Sequence, residues 1–240
     1  MKKRLFAVFL ALFIASGPAY AGWGDFLQRF GLGGTAQPSQ TKILSGLKEA
    51  LQIGSEKAVA LTACENGYFK NEAIKILLPE RLRKAESMLR PLGLGSQLDQ
   101  LILSMNRAAE AAAPQAKPIF LQAISGMSIQ DVMGIYRGGD TAATDYFKNK
   151  TFADLAKLYR PVVAKTIAEY QVSRFYQTIA GRYNVLPVAK QLPLPGIEDY
   201  VVERSLAGLF YMLGEQEKAI RKDPAARVTQ LLKDVFTPKK

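Results

Sequence analysis

The sequence has no histidine and one cysteine in 240 residues. A Ser-His-Asp triad or a Cys-His pair cannot be assembled from it, and neither can a zinc site of the His/Cys kind. One thiol closes no intramolecular disulfide, whatever the compartment allows. Cys64 is preceded by Leu61-Thr62-Ala63, a string that matches a lipobox, but Glu56 and Lys57 interrupt the apolar run a lipobox needs. It reads as a small buried apolar residue. Acidic residues are scarce, 21 against 32 basic ones, for a formal net charge of +11. Long apolar runs are missing beyond Ser16, so no later stretch has the length to cross a bilayer as a helix.

What is present begins with an export pattern. Lys2, Lys3 and Arg4 precede an apolar run from Leu5 to Ser16, and Ala19-Tyr20-Ala21 supplies small residues for cleavage. The sequence predicts a signal peptide over 1–21, cleaved after Ala21, and a periplasmic protein. Loss of the leader's three basic residues leaves +8 of the +11. That balance favours an anionic partner, either anionic lipid or an envelope protein. Nucleic acid is not expected, given export and no interleaving of aromatics with arginine.

Residues 22–40 form a segment of their own. Trp23, Phe26, Leu27 and Phe30 fall on one face of a short helix. A flexible glycine-rich linker follows, from Gly31 to Gln40. Trp23, Phe26 and Phe30 are candidate contacts for a membrane interface or for an apolar groove on the domain behind them, because so short a helix is marginal alone.

Residues 41–237 read as one all-α domain. Leu44, Leu47, Leu51, Ala58 and Leu61 make one seam of a first helix, which Glu65-Asn66-Gly67 ends. Ile74-Lys75-Ile76 reads as extended. Pro79 opens a charged, solvated helix to Arg90 that buries Leu82, Ala85, Met88 and Leu89. The Ala-rich stretch 96–113 is expected to be the central helix, since small side chains let neighbours approach. A short helix over 118–125 follows it. Ser128 with Asp131 and Thr151 with Asp154 read as capping boxes, with Asp140 capping the helix between them and Pro161 kinking or restarting the later one. Helix continues to Tyr183. The last two helices are expected over 197–221 and 224–236, with Asp223-Pro224 as N-cap and N1. No sustained two-residue alternation predicts a sheet.

Four constellations carry chemistry. Asn106, Arg107 and Glu110 share one flank of the Ala-rich helix; they form either an internal ion pair or an anion-binding arginine beside a proton-transferring carboxylate. Gly138-Gly139-Asp140 before a helix start reads as a stop-and-cap, and no Walker pattern accompanies it. Arg221, Lys222 and Arg227 make a candidate anionic-lipid patch. Tyr146, Phe147, Phe152, Tyr159, Phe175, Tyr176, Phe210 and Tyr211 read as core, with a ligand cavity as the alternative. The sequence predicts no cofactor and no metal ligand set, although an oxygen-only metal site stays open.

The strings LKEALQIGSEKAV, SMNRAAEAAAPQAKPIF, GGDTAATDYFKNKT and LFYMLGEQEKAIRKDPAARVTQLLKDVF resemble the bacterial family known as domain of unknown function 4197, over nearly all of 41–237. The resemblance implies an exported, helical protein. Many members look like lipoproteins, and this chain departs from them in having no cysteine after its signal. It implies no activity, cofactor or catalytic residue. The expected function is a non-catalytic binding or envelope-associated protein with an anionic or amphipathic partner. The rivals are a carboxylate-dependent enzyme using Glu110 and Arg107, and a protein-interaction scaffold.

Overall fold

The computed structural model describes residues 39–170, 172–185, 194–223, 226–227 and 229–236. The 1–21 leader, Trp23, Phe26, Phe30 and Pro224 lie outside these residues. The chain is all-α, as expected, and no strand occurs among the described residues. No helix described is long and apolar enough to cross a membrane.

Helix α1 (Gln40–Ala63) starts where the Ser39 hydroxyl accepts from the Lys42 N–H at 3.2 Å. It buries Ile43, Leu47, Leu51, Ala58 and Val59 together with Gly46, Gly54 and Thr62. The expected seam was one position out at its far end: Leu61 is exposed, and Thr62 turns inward by donating to the Ala58 carbonyl. Cys64 is exposed rather than buried, because the helix ends beside it.

Helix α2 (Glu80–Leu89) buries Leu82, Ala85 and Leu89. Met88 faces solvent instead of the core, since it lies a position off that three- and four-residue stripe. A wide turn at Arg90–Leu94 leads into α3 (Gly95–Ala112), and Gly93 takes φ 81° there, a conformation suited to glycine.

Helix α3 is the central helix that its alanines predict. Leu98, Leu101, Met105, Ala108, Ala109 and Ala112 are fully buried, and it packs on α1 and on the three longer elements that follow. After a tight turn come α4 (Ala116–Ser125) and α5 (Ile129–Arg137). The Ser128–Asp131 capping box is formed in full.

Helix α6 (Ala142–Glu169) differs from the reading in one respect. It runs unbroken through Thr151 and Pro161. The Thr151 hydroxyl donates back to the Phe147 carbonyl at 2.7 Å instead of capping a new helix. Helices α7 (Val172–Tyr183), α8 (Ile197–Lys222) and α9 (Gln230–Phe236) complete the set. Helix α8 is the second organising element, packing against α6 and α1. Phe120, Phe147 and Phe210 meet between α4, α6 and α8, with ring centroids 5.2 and 6.0 Å apart. Phe147, Tyr159 and Phe210 are core, whereas Phe152 and Tyr211 reach the surface.

Candidate functional site

The residues that join α1 to α2 are the longest non-helical stretch among the described residues, and polar side chains from α3 and α8 hold them. Asn66 takes φ 67°. A Cβ on Gly67 would collide with the backbone carbonyls of Leu61, Cys64 and Thr62, so the turn requires glycine. The Tyr68 ring is fully buried, and its hydroxyl donates to the Ser205 carbonyl at 2.6 Å. Burial pushes its phenol well above the ordinary tyrosine value, with Tyr159 and Glu110 adding to the effect.

Glu110 Oε1 accepts from the Tyr68 and Phe69 N–H groups, both at 3.1 Å. Its Oε2 faces Arg107 at 2.5 Å, and Arg107 also reaches Asn66 Oδ1 at 3.0 Å and Glu65 at 3.2 Å. Asn106 grips Ile76 on both sides of one residue. Its Oδ1 accepts from the Ile76 N–H at 2.8 Å, and its Nδ2 donates to the Ile76 carbonyl at 2.8 Å and to the Ile102 carbonyl at 2.7 Å. The structure thus brings Asn106, Arg107 and Glu110 together, as the spacing requires, and engages all three in framing the 65–76 segment. Neither Arg107 nor Glu110 lines any of the clefts described below.

A second frame sits at the start of α6. Glu217 reaches across from α8 and accepts from the Ala143 N–H at 3.0 Å, the Thr144 N–H at 2.9 Å and the Thr144 hydroxyl at 2.9 Å. The carboxylate therefore does the capping that the sequence assigns to Asp140, on donors that carry the positive end of the helix dipole. Arg221 neutralises it at 2.9 Å and donates to the Ile135 carbonyl at 2.9 Å. Arg227 is buried and donates to the carbonyls of Ile220 (3.0 Å) and Arg221 (2.7 Å), closing the C-terminus of α8. Lys222 is exposed and pairs with Asp140. Of the three residues read as a patch, only Lys222 is presented to solvent as a charge. The apolar cavity beside Glu217, between Leu47, Leu51, Leu213 and Phe236, is about 20 Å³, room for roughly one water.

The larger openings flank the outer face of α8. One cleft, about 490 Å³, lies between residues 73–78 and α8, with Glu80 and Arg83 of α2 and Tyr200, Arg204, Ala207, Gly208 and Tyr211 of α8 on its walls. A second, about 460 Å³, lies between α6 and α8 and carries Asp145, Lys148, Glu203, Glu215 and Lys218. Ala207 and Tyr211 border both.

The two clefts differ in charge. The second mixes signs and holds more acid than base. The first holds Lys75, Arg83 and Arg204 against Glu80 alone, and Lys84 already pairs with Glu80 at 2.8 Å. The Arg83 side chain has no hydrogen bond or ion pair among the described residues. Arg204 lies 5.4 Å from the Tyr200 ring centroid and has no carboxylate partner there. Burial raises the Tyr200 phenol, and the fields of Arg204 and Arg83 pull it back down. Exposed apolar surface accompanies the charge: Leu77 is 42% and Tyr211 48% accessible.

Of Lys75, Arg83, Tyr200, Arg204 and Tyr211, the sequence singles out only Tyr211, among the aromatics read as core with a ligand cavity as the alternative. A signal existed on α8: Tyr200, Arg204, Ala207 and Tyr211 follow helical spacing, opposite the buried Val202, Leu206, Leu209 and Leu213. Aromatic and small residues on a solvent stripe are a departure from a purely charged face. Arg83 had no such signal, because one arginine among many on α2 is indistinguishable from solvated charge.

A family model described as "Protein of unknown function (DUF4197)" matches residues 37–237. Comparison with curated proteins and with solved structures finds no match.

Proposed function

The chain belongs to the DUF4197 family, and we propose that it is an exported, non-catalytic binding protein of the bacterial envelope that receives an anionic partner in the cleft between residues 73–78 and α8. One observation carries this reading. Arg83 and Arg204 face a cleft of about 490 Å³ and form no ion pair among the described residues, its one carboxylate, Glu80, being held by Lys84, while Arg107 and Arg90 are paired. Two guanidinium groups outside any ion pair, beside two phenol rings, attract and orient an anion. The basic balance of the whole chain draws the same class of partner from a distance. The leader pattern of residues 1–21 supports export to the periplasm.

The reading is tested by mapping backbone amide shifts while three anionic probes are added separately: inorganic phosphate, a glutamate-rich peptide and phosphatidylglycerol vesicles. At least one probe shifts Lys75, Arg83, Arg204 and Tyr211, and Arg83→Gln with Arg204→Gln abolishes the shift. A response from none of the three, or one that the double variant leaves unchanged, overturns it.

A further inference from the structure

Residues 74–78 alternate in burial. Ile74, Ile76 and Leu78 are buried, while Lys75 is half-buried and Leu77 exposed, the two-residue period of an extended chain. In such a chain the backbone groups of successive residues point to opposite edges. Asn106 takes both groups of Ile76 on one edge, acting as a side-chain substitute for a neighbouring strand. On the other edge lie the groups of Lys75 and Leu77. The Lys75 N–H is taken by the Asn71 carbonyl at 2.8 Å, and the Leu77 carbonyl accepts from the Tyr200 hydroxyl at 2.9 Å. The Lys75 carbonyl and the Leu77 N–H have no protein partner among the described residues. An acceptor and a donor two residues apart on one edge are the pair that a bridging strand engages.

We propose that the occupant of this cleft is an extended acidic peptide segment, added as a strand along the open edge at Lys75 and Leu77 with its carboxylates on Arg83 and Arg204. This rests on the anion-binding reading above and names the class of its partner. Three features select a peptide over a lipid head group or free phosphate. The Lys75 carbonyl and the Leu77 N–H set an acceptor and a donor at main-chain spacing, which a peptide backbone matches in register and a phosphate group does not. The cleft is long, with six consecutive residues, 73–78, along one wall; at about 3.3 Å per residue that is roughly 20 Å of extended chain. Leu77 and Tyr211 add apolar surface for the side chains of alternate residues. Tyr200 already holds the Leu77 carbonyl, so the ladder is short, and the charges supply the remaining affinity.

The test places its main perturbation on the peptide, where folding of the protein is not at issue. A fluorescein-labelled octapeptide of alternating Glu and Thr is titrated into the full chain, and anisotropy is read. N-methyl groups are then placed at each peptide position in turn, removing one N–H each. The expected result is binding that weakens at least tenfold in Arg83→Gln/Arg204→Gln and falls steeply as salt is raised. The N-methyl scan loses about tenfold at alternate positions and little between them, roughly one hydrogen bond each. A flat scan with binding still dependent on both arginines leaves the anionic site standing and overturns strand addition. Arginine-dependent binding of phosphatidylglycerol vesicles or phosphate, with none of the peptide, does the same. Peptide binding indifferent to both arginines overturns both readings.

Discussion

Replacing Asn106 with Ala tests the frame on which the cleft depends. Asn106 is fully buried, and its amide makes the only hydrogen bonds of the Ile76 N–H and carbonyl among the described residues, at 2.8 Å each. Ile76 is itself only 2% exposed, so water cannot replace the lost partner without opening the segment. Two buried backbone groups left unsatisfied cost about 1–3 kcal/mol each. Part of this is offset because the Asn106 amide no longer has to be desolvated. The net loss is about 2–4 kcal/mol, and at roughly 2–4 °C per kcal/mol for a chain of this size Tm falls by about 5–15 °C. Urea unfolding at constant m measures the stability. Amide hydrogen exchange reads the location, with Ile76 losing protection ahead of α3. Asn106→Asp is expected to be no better. It keeps an acceptor for the Ile76 N–H but turns a carboxylate oxygen toward the carbonyls of Ile76 and Ile102. An Asn106→Ala protein within about 0.5 kcal/mol of the parent, with Ile76 as protected as before, would refute the reasoning.

Glu217→Ala removes the cap of α6 and leaves the Arg221 guanidinium, 14% exposed, without its carboxylate. The loss is about 3–5 kcal/mol by urea unfolding, with Glu217→Gln milder because the amide still accepts. Gly208→Ala places a Cβ 2.5 Å from Tyr68 Cε1 and 3.2 Å from Ile74 Cβ. It costs about 1–3 kcal/mol by overpacking, and thermal unfolding is expected to show it. Asp131 has its carboxyl held below the ordinary aspartate value by the Ser128 hydroxyl and N–H. Its contribution is therefore present above the usual carboxylate range and is withdrawn as pH falls through the depressed value. An NMR titration of Asp131 finds the low midpoint, and Ser128→Ala moves it up toward that of a free aspartate.

The parts of the fold that were legible are those set by neighbours in sequence. Ser128 and Asp131 are three residues apart, and their box forms as read. Asn66-Gly67 turns the chain, and Ala108, Ala109, Ala112 and Ala113 lie at the centre of the packing. Thr151 and Asp154 carry the same local signature as Ser128 and Asp131, yet the helix runs through them. The chain before Thr151 is already helical and offers its hydroxyl the Phe147 carbonyl. Nothing within four residues of the α6 start reveals its true cap, because Glu217 lies 73 residues from Thr144. The same holds for Arg227, whose charge looks exposed in sequence and is buried against the end of α8. Local rules locate helix ends and cannot say which distant side chain serves them.

Asn106 and Glu110 are conspicuous in the sequence because they interrupt an apolar, Ala-rich face. In the structure both are engaged by the backbone of another segment. The reason lies in the geometry of an all-α fold. A helix satisfies its own N–H and carbonyl groups, so residues 65–78, which are not helical, enter the bundle with donors and acceptors that need outside partners. Glu110 takes two, Asn106 takes two, and Tyr68 and Tyr200 tie the segment to α8. Among the groups without a protein partner are the Lys75 carbonyl and the Leu77 N–H, on the edge beside a cleft where Arg83 and Arg204 make no ion pair among the described residues. The polar residues of α3 therefore point to function indirectly. They fix a short extended edge, and that edge with Arg83 and Arg204 is a surface suited to accept main chain and charge together.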